Sequence, residues 1–122
     1  MSINLLPKIR SRHLLAATQL MPCCLRISSF APGHRCSPQD TVVPAHVPTI
    51  GKGMGTKVSD LFVVAACHHC HDILDGRDMK RRDFVMANYP AAVTQRILDG
   101  MAETQARWVS MGLIQIDGME VV

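Results

Sequence analysis

Cys67-His68-His69-Cys70-His71-Asp72-Ile73-Leu74-Asp75-Gly76 is the stretch on which the reading of this 122-residue chain turns. Its Cys-x-x-Cys pair sets two thiolates on one tight turn, where both can reach a tetrahedral ion at about 2.3 Å. Residues 72–75 read as a short helix closed by Gly76, because glycine accepts the left-handed conformation that commonly ends a helix. Just upstream, Leu61-Phe62-Val63-Val64-Ala65-Ala66 is a short apolar run that reads as a strand, with a helix start as the alternative.

Two thiolates are half of a zinc site, so two further ligands are needed. The chain has five cysteines and six histidines, three of the histidines inside residues 67–71. An odd cysteine count argues against a closed disulfide framework. Cys23 and Cys36, thirteen positions apart, are the natural second half. Cys24 is then the spare, since adjacent residues point differently. The alternative is that Cys23, Cys24 and Cys36 are small buried hydrophobes. Residues 67–71 also spell Cys-x-x-Cys-His, the c-type haem attachment pattern. That reading needs export and an axial ligand, and it leaves three cysteines unused. A thioredoxin-like redox motif lacks its surrounding βαβ pattern.

Working outward, residues 12–20 are good helix formers stopped by Pro22. Residues 28–40 are rich in Ser, Pro and Gly and read as loop. Thr41-Val42-Val43-Pro44-Ala45-His46-Val47, with Pro48 behind it, reads as an edge strand or extended segment. Gly51-Lys52-Gly53-Met54-Gly55-Thr56-Lys57 is a glycine-lysine loop whose spacing does not match a P-loop. Residues 77–83 read as a charged loop. From Pro90 a long helix is expected, with Val93, Ile97, Met101, Thr104, Trp108 and Met111 on one face and Gly112 at its end. It reads as scaffold.

The length favours one domain, and a core with only 4% aromatic residues benefits from a metal staple. The formal net charge of +3 permits nucleic-acid binding without requiring it. Basic residues concentrate in Lys8, Arg10 and Arg12 and in Lys80, Arg81 and Arg82; each group could equally be a solvated surface. No apolar stretch reaches the ~18–20 residues of a membrane span. Residues 8–21 only loosely resemble a signal peptide and no A-x-A site follows, so the cytoplasm is the expected location.

Two further groups carry potential chemistry. His71 and Asp75 are four residues apart and share one face if the segment is helical. They could ligate a divalent ion, or simply hydrogen-bond to each other. His46 has the unperturbed pKa of a general base, near 6.5, although a lone histidine is commonly structural.

Together the pieces resemble the zinc-bearing HNH (His-Me finger) nucleases, and more closely the YbcO-like family of small prophage-encoded nucleases. The resemblance spans roughly residues 22–114. It is carried by Cys23-Cys24-Leu25-Arg26-Ile27, Val43-Pro44-Ala45-His46, Gly53-Met54-Gly55-Thr56-Lys57 with Asp60-Leu61, and Ala66-Cys67-His68-His69-Cys70-His71-Asp72 with Asp75 and Arg77. Gly100-Met101-Ala102, Thr104-Gln105, Trp108 and Gly112-Leu113-Ile114 also fit.

The resemblance implies an α+β protein with a small ββα-metal core, zinc knuckles and a long C-terminal helix. It divides the chain into a basic helical segment, 1–21, and a nuclease domain, 22–122. His46 takes the general-base position and His71, with Asp75 beside it, the position that binds a catalytic Mg²⁺ or Mn²⁺. Cys23, Cys36, Cys67 and Cys70 hold structural Zn²⁺. Asp60 falls near the middle Asn of HNH enzymes. The pattern departs from the family at Ala45, where many members carry Asp, at Asp60, and in the long interval between Cys23 and Cys36. The expected activity is metal-dependent hydrolysis of phosphodiester bonds in DNA, in phage DNA processing or recombination. Lys57, Arg77, Lys80, Arg81 and Arg82 are the expected backbone contacts. The alternative is a zinc-stapled nucleic-acid-binding module without catalysis.

Overall fold

The computed structural model describes residues 7–47 and 58–122; Lys57 and the rest of the glycine-lysine loop lie outside the described residues. The fold is α+β: helices around a small two-stranded sheet. Strands β1 (Val43–His46) and β2 (Val63–Ala66) pair antiparallel, with Val43 opposite Ala66 and His46 opposite Val63. Pro44 removes one N–H from β1, which is tolerated because β1 is an edge strand. All four β2 residues are buried, as the uninterrupted apolar run implies for a strand covered on both faces.

A two-stranded sheet is marginal alone, and helices supply the cover. Helix α1 (Arg12–Ala17) is capped by Ser11 and continues as a 3₁₀ turn to Leu20. Its Leu14 and Ala17 enter the same core as β2 and Trp108. Helix α2 (His68–Asp75) follows β2 directly and packs on both strands. It starts at His68, inside the Cys-x-x-Cys pair, rather than at Asp72. The reason is tertiary: the first N–H groups of a helix need partners, and the distant loop provides them. The Thr41 hydroxyl accepts from the His68 N–H at 3.2 Å and the Ser37 hydroxyl from the His69 N–H at 3.2 Å. Gly76, at φ 86°, closes the helix as expected.

The expected charged loop at 77–83 is instead largely helix. Helix α3 runs Met79–Asn88, with the Asp78 side chain capping it at the Arg81 N–H. A single buried apolar residue, Val85, anchors this helix, so a hydrophobic period was too thin to reveal it. Its start signal, an Asp before the first turn, was nevertheless present.

Helix α4 (Pro90–Ser110) is the scaffold that the period predicts. Val93, Thr104 and Trp108 are buried, whereas Met111, at the helix end, is exposed. The Trp108 indole N–H donates to the Leu14 carbonyl at 2.9 Å, tying α4 to α1. The Thr104 hydroxyl accepts from the Ala65 N–H at 3.1 Å, tying α4 to β2. At Gly100 the helix touches the chain beside it: an added Cβ would lie 2.7 Å from the Cys24 carbonyl oxygen and 2.8 Å from Val64. Among the described residues no helix is long and apolar enough to cross a membrane.

Candidate metal centre and active site

The strand-to-helix junction brings Cys67 and Cys70 to one end of the sheet. Cys67 caps α2, its sulfur accepting from the Cys70 N–H at 3.5 Å. The loop after α1 returns Cys23 and Cys36 to the same place. The four Sγ atoms lie within 4.8 Å of one another. Cys36 and Cys70 are 3.7 Å apart at sulfur, close to the ~3.8 Å edge of a tetrahedron with 2.3 Å metal–sulfur bonds. None of the cysteines is disulfide-bonded. The cluster can therefore hold a metal ion such as zinc.

Its electrostatics fit that chemistry. Hydrogen bonds from Cys23 and Cys70 hold the Cys67 thiol far below its usual pKa. Burial, together with the neighbouring sulfurs, pushes the Cys36 thiol up to about 12. Cys70 is raised as well, chiefly by its contacts with Cys23 and Cys67. Four thiols this close cannot all ionise by themselves; a cation among them removes the repulsion. The Ser28 hydroxyl, 3.0 Å from the Cys70 sulfur, adds a possible donor that the sequence did not announce.

Cys24 stands apart. It is fully buried, its thiol donates to the Pro22 carbonyl at 3.4 Å, and its N–H bonds the Ala65 carbonyl at 2.7 Å. Burial raises its pKa to about 11. It is a core residue, and Cys23 is the one that joins the cluster.

His46 ends β1, and its Nε2 lies 2.9 Å from Oδ1 of Asp60. The imidazole is about one-third exposed, at 35%, whereas the Asp60 side chain is only 6% exposed. Burial alone would favour the neutral acid at Asp60. The bonds from His46 and the Ser11 N–H, with the nearby Arg10 guanidinium, outweigh it and hold the carboxyl below its ordinary pKa. The residue pattern by itself did not mark Asp60 as a partner of His46, fourteen positions away; only the family likeness drew attention to it.

His71 lies one turn into α2, with its Nε2 3.6 Å from Oδ2 of Asp75. Both side chains are partly exposed, so an imidazole and a carboxylate share one accessible helix face. Arg77 leans on the same carboxylate, its Nε 3.3 Å from Oδ2. Among the described residues no hydrogen bond or ion pair joins His46 to His71. The basic residues expected at nucleic acid divide: Lys80 is exposed, Arg81 pairs with Asp78 at 2.8 Å, and Arg82 turns back to the Leu74 carbonyl at 3.4 Å.

An α+β fold with four cysteines clustered where a two-stranded antiparallel sheet meets a helix defines a class of small proteins with a candidate metal centre. Comparison with known proteins narrows it. The chain is 37% identical over 94 residues to "Putative nuclease YbcO" of Escherichia coli (strain K12), covering 76% of this chain and 86% of that protein. It matches "Putative nuclease ybcO" of Enterobacteria phage 82 to the same extent. Among solved structures it is similar to "Structure of a putative bacteriophage protein from Escherichia coli str. K-12 substr. MG1655", with a TM-score of 0.52 and 33% identity, covering 81% of this chain and 98% of that one. No family model matches the chain. The chain belongs to the YbcO family.

Proposed function

We propose that this chain is a metal-dependent endonuclease of the His-Me finger type, cutting DNA in phage DNA processing or recombination. The observation that carries the reading is His46: it ends the first strand of a β-β-α unit, partly exposed and hydrogen-bonded to a buried carboxylate. Two relatives, one of them from a phage, carry nuclease in their names, which supports the broader part of the reading, that this chain is a nuclease.

In this reading Cys23, Cys36, Cys67 and Cys70 hold zinc as a closed structural site. His71 and Asp75 would hold Mg²⁺ or Mn²⁺, which supplies Lewis-acid stabilisation of charge on the phosphate when bound. His46 takes a proton from water. The water oxygen bonds to phosphorus as the bond to the leaving oxygen breaks, and that oxygen takes a proton from solvent. Arg77, Lys80, Arg81 and Arg82, with Lys57, contact the phosphate backbone, which positions the nucleic acid without reading its sequence. Arg77 must first exchange Asp75 for phosphate, because the two are paired.

The test is nicking of supercoiled plasmid with and without Mg²⁺ or Mn²⁺. Cleavage that needs the added ion and is lost in His46→Ala supports the reading. A folded, zinc-loaded protein that binds DNA but never cuts it would establish the binding module instead.

A further inference from the structure

The N-terminal segment before α1 makes a set of contacts that neither the metal centre nor the core requires. The Ile9 N–H donates to the Ser59 hydroxyl at 3.1 Å, and the Asp60 N–H donates to the Ile9 carbonyl at 2.8 Å. The Ser11 N–H donates to Oδ2 of Asp60 at 2.8 Å. The Arg10 guanidinium bonds the Val58 carbonyl and lies 3.5 Å from Oδ1 of Asp60. Residues 9–11 therefore grip residues 58–60 from both backbone and side chain, across some fifty positions of sequence. The bonds from Ser11 and Arg10 converge on the Asp60 carboxylate, whose further contact among the described residues is His46.

We propose that residues 9–11 belong to the catalytic apparatus: they clamp Asp60, which fixes His46 with Nε2 protonated and Nδ1 open to accept a proton. The proposal rests on reading His46 as the base. Its logic is geometric. A neutral imidazole has one donor and one acceptor nitrogen, and the partner of one nitrogen decides the role of the other. A carboxylate can only accept, so a proton must sit on Nε2. Oδ2 is engaged by Ser11 and Oδ1 faces His46 and Arg10, so the carboxylate cannot rotate without breaking bonds on a buried atom. The charge on Asp60 also stabilises the imidazolium formed when Nδ1 takes its proton. Asp60 is thus a positioning residue, and Arg10 and Ser11 position it in turn.

The experiment is nitrogen NMR of the His46 ring in the full chain, at a pH where the imidazole is neutral, alongside cleavage kinetics. The wild type should show the Nε2–H form. Asp60→Asn presents an amide that can accept or donate, so the two tautomers should mix. Its kcat should fall about 10- to 10³-fold with KM nearly unchanged. Arg10→Met and Ser59→Ala loosen the clamp from outside and should lower kcat about 2- to 10-fold. Should Asp60→Asn fail to fold, Arg10→Met, at an exposed side chain, carries the test through kcat. An unchanged tautomer in Asp60→Asn, or an unchanged kcat in Arg10→Met, overturns the clamp. A tautomer that responds while His46→Ala still cuts at the wild-type rate overturns the base assignment, and with it the catalytic part of this proposal.

Discussion

The cysteine centre differs in plan from the two places that carry His46 and, separately, His71 with Asp75. Cys67 and Cys70 are fully buried, Cys23 is half-buried and Cys36 exposed, and the four sulfurs cluster with the Ser28 hydroxyl and the α2 backbone beside Cys70. His46, His71 and Asp75 are each partly exposed. Closed tetrahedral sites stabilise folds, whereas sites that do chemistry keep a position open. The contrast teaches that α2 serves both plans. Its first residues complete the thiol cluster, and the next turn carries the accessible His71 and Asp75.

The largest effect should come from breaking the closed site. Cys70→Ser should cost most of the ~10–16 kcal/mol that structural zinc can contribute, leaving an unfolded or aggregated chain without metal. Cys24→Ser, one residue from a ligand, should keep its zinc and lose at most about 2 kcal/mol. Elemental analysis and thermal denaturation of the two variants check the contrast; equal losses would remove the distinction between ligand and core thiol.

Next comes the open side. His46→Ala should lower cleavage about 10²- to 10⁴-fold while zinc content and DNA affinity hold. His71→Ala should weaken activation by Mg²⁺ or Mn²⁺, and Asp75→Ala should do so less. EDTA too mild to strip thiolate-bound zinc should stop cleavage, and added divalent ion should restore it. Loss of zinc in His71→Ala would mean that the two sites are one.

A smaller effect is expected in acid. Asp60 is held below its unfolded pKa, so its contribution to stability is present above about pH 4 and drains away as pH falls through the folded value. Glu103, paired with Arg107, is shifted in the same direction. Acid melts of Asp60→Asn against wild type isolate the Asp60 share: the variant should be less stable near neutrality, and the gap should close below pH 4. A constant gap would mean that the Asp60 carboxyl has the same pKa folded and unfolded.

The smallest and broadest effect concerns DNA binding. Affinity should be modest and sequence-tolerant, and it should fall steeply with salt, by about 0.9 in the log–log slope for each phosphate neutralised. Lys80→Ala should flatten that slope by about one contact. A salt-independent titration would separate this protein from nucleic acid altogether.

Much of this was legible locally. The Cys-x-x-Cys pair, the Gly76 stop, the apolar run of β2 and the Pro90 start of α4 each depend on chemistry within a few residues, and pattern suffices for such features. The identity of the second thiol pair was partly legible, because cysteine arithmetic left three candidates for two places. Packing then chose Cys23 over Cys24 by burying Cys24 between Ala65 and Gly100. Helix α3 escaped notice because one buried valine makes no period.

What the sequence determined by itself is the set of short-range commitments: a metal half-site at a strand-to-helix junction, a long amphipathic scaffold helix and a histidine at the end of an extended segment. What only the tertiary structure decided is which distant groups meet them. Ser37 and Thr41 satisfy the first turn of α2, Cys36 arrives at the Cys70 sulfur, and Asp60, gripped by Arg10 and Ser11, holds His46. The physical reason is that hydrogen bonds and metal–thiolate geometry act over about 3–4 Å in space, while the chain separation between partners leaves no imprint on local pattern.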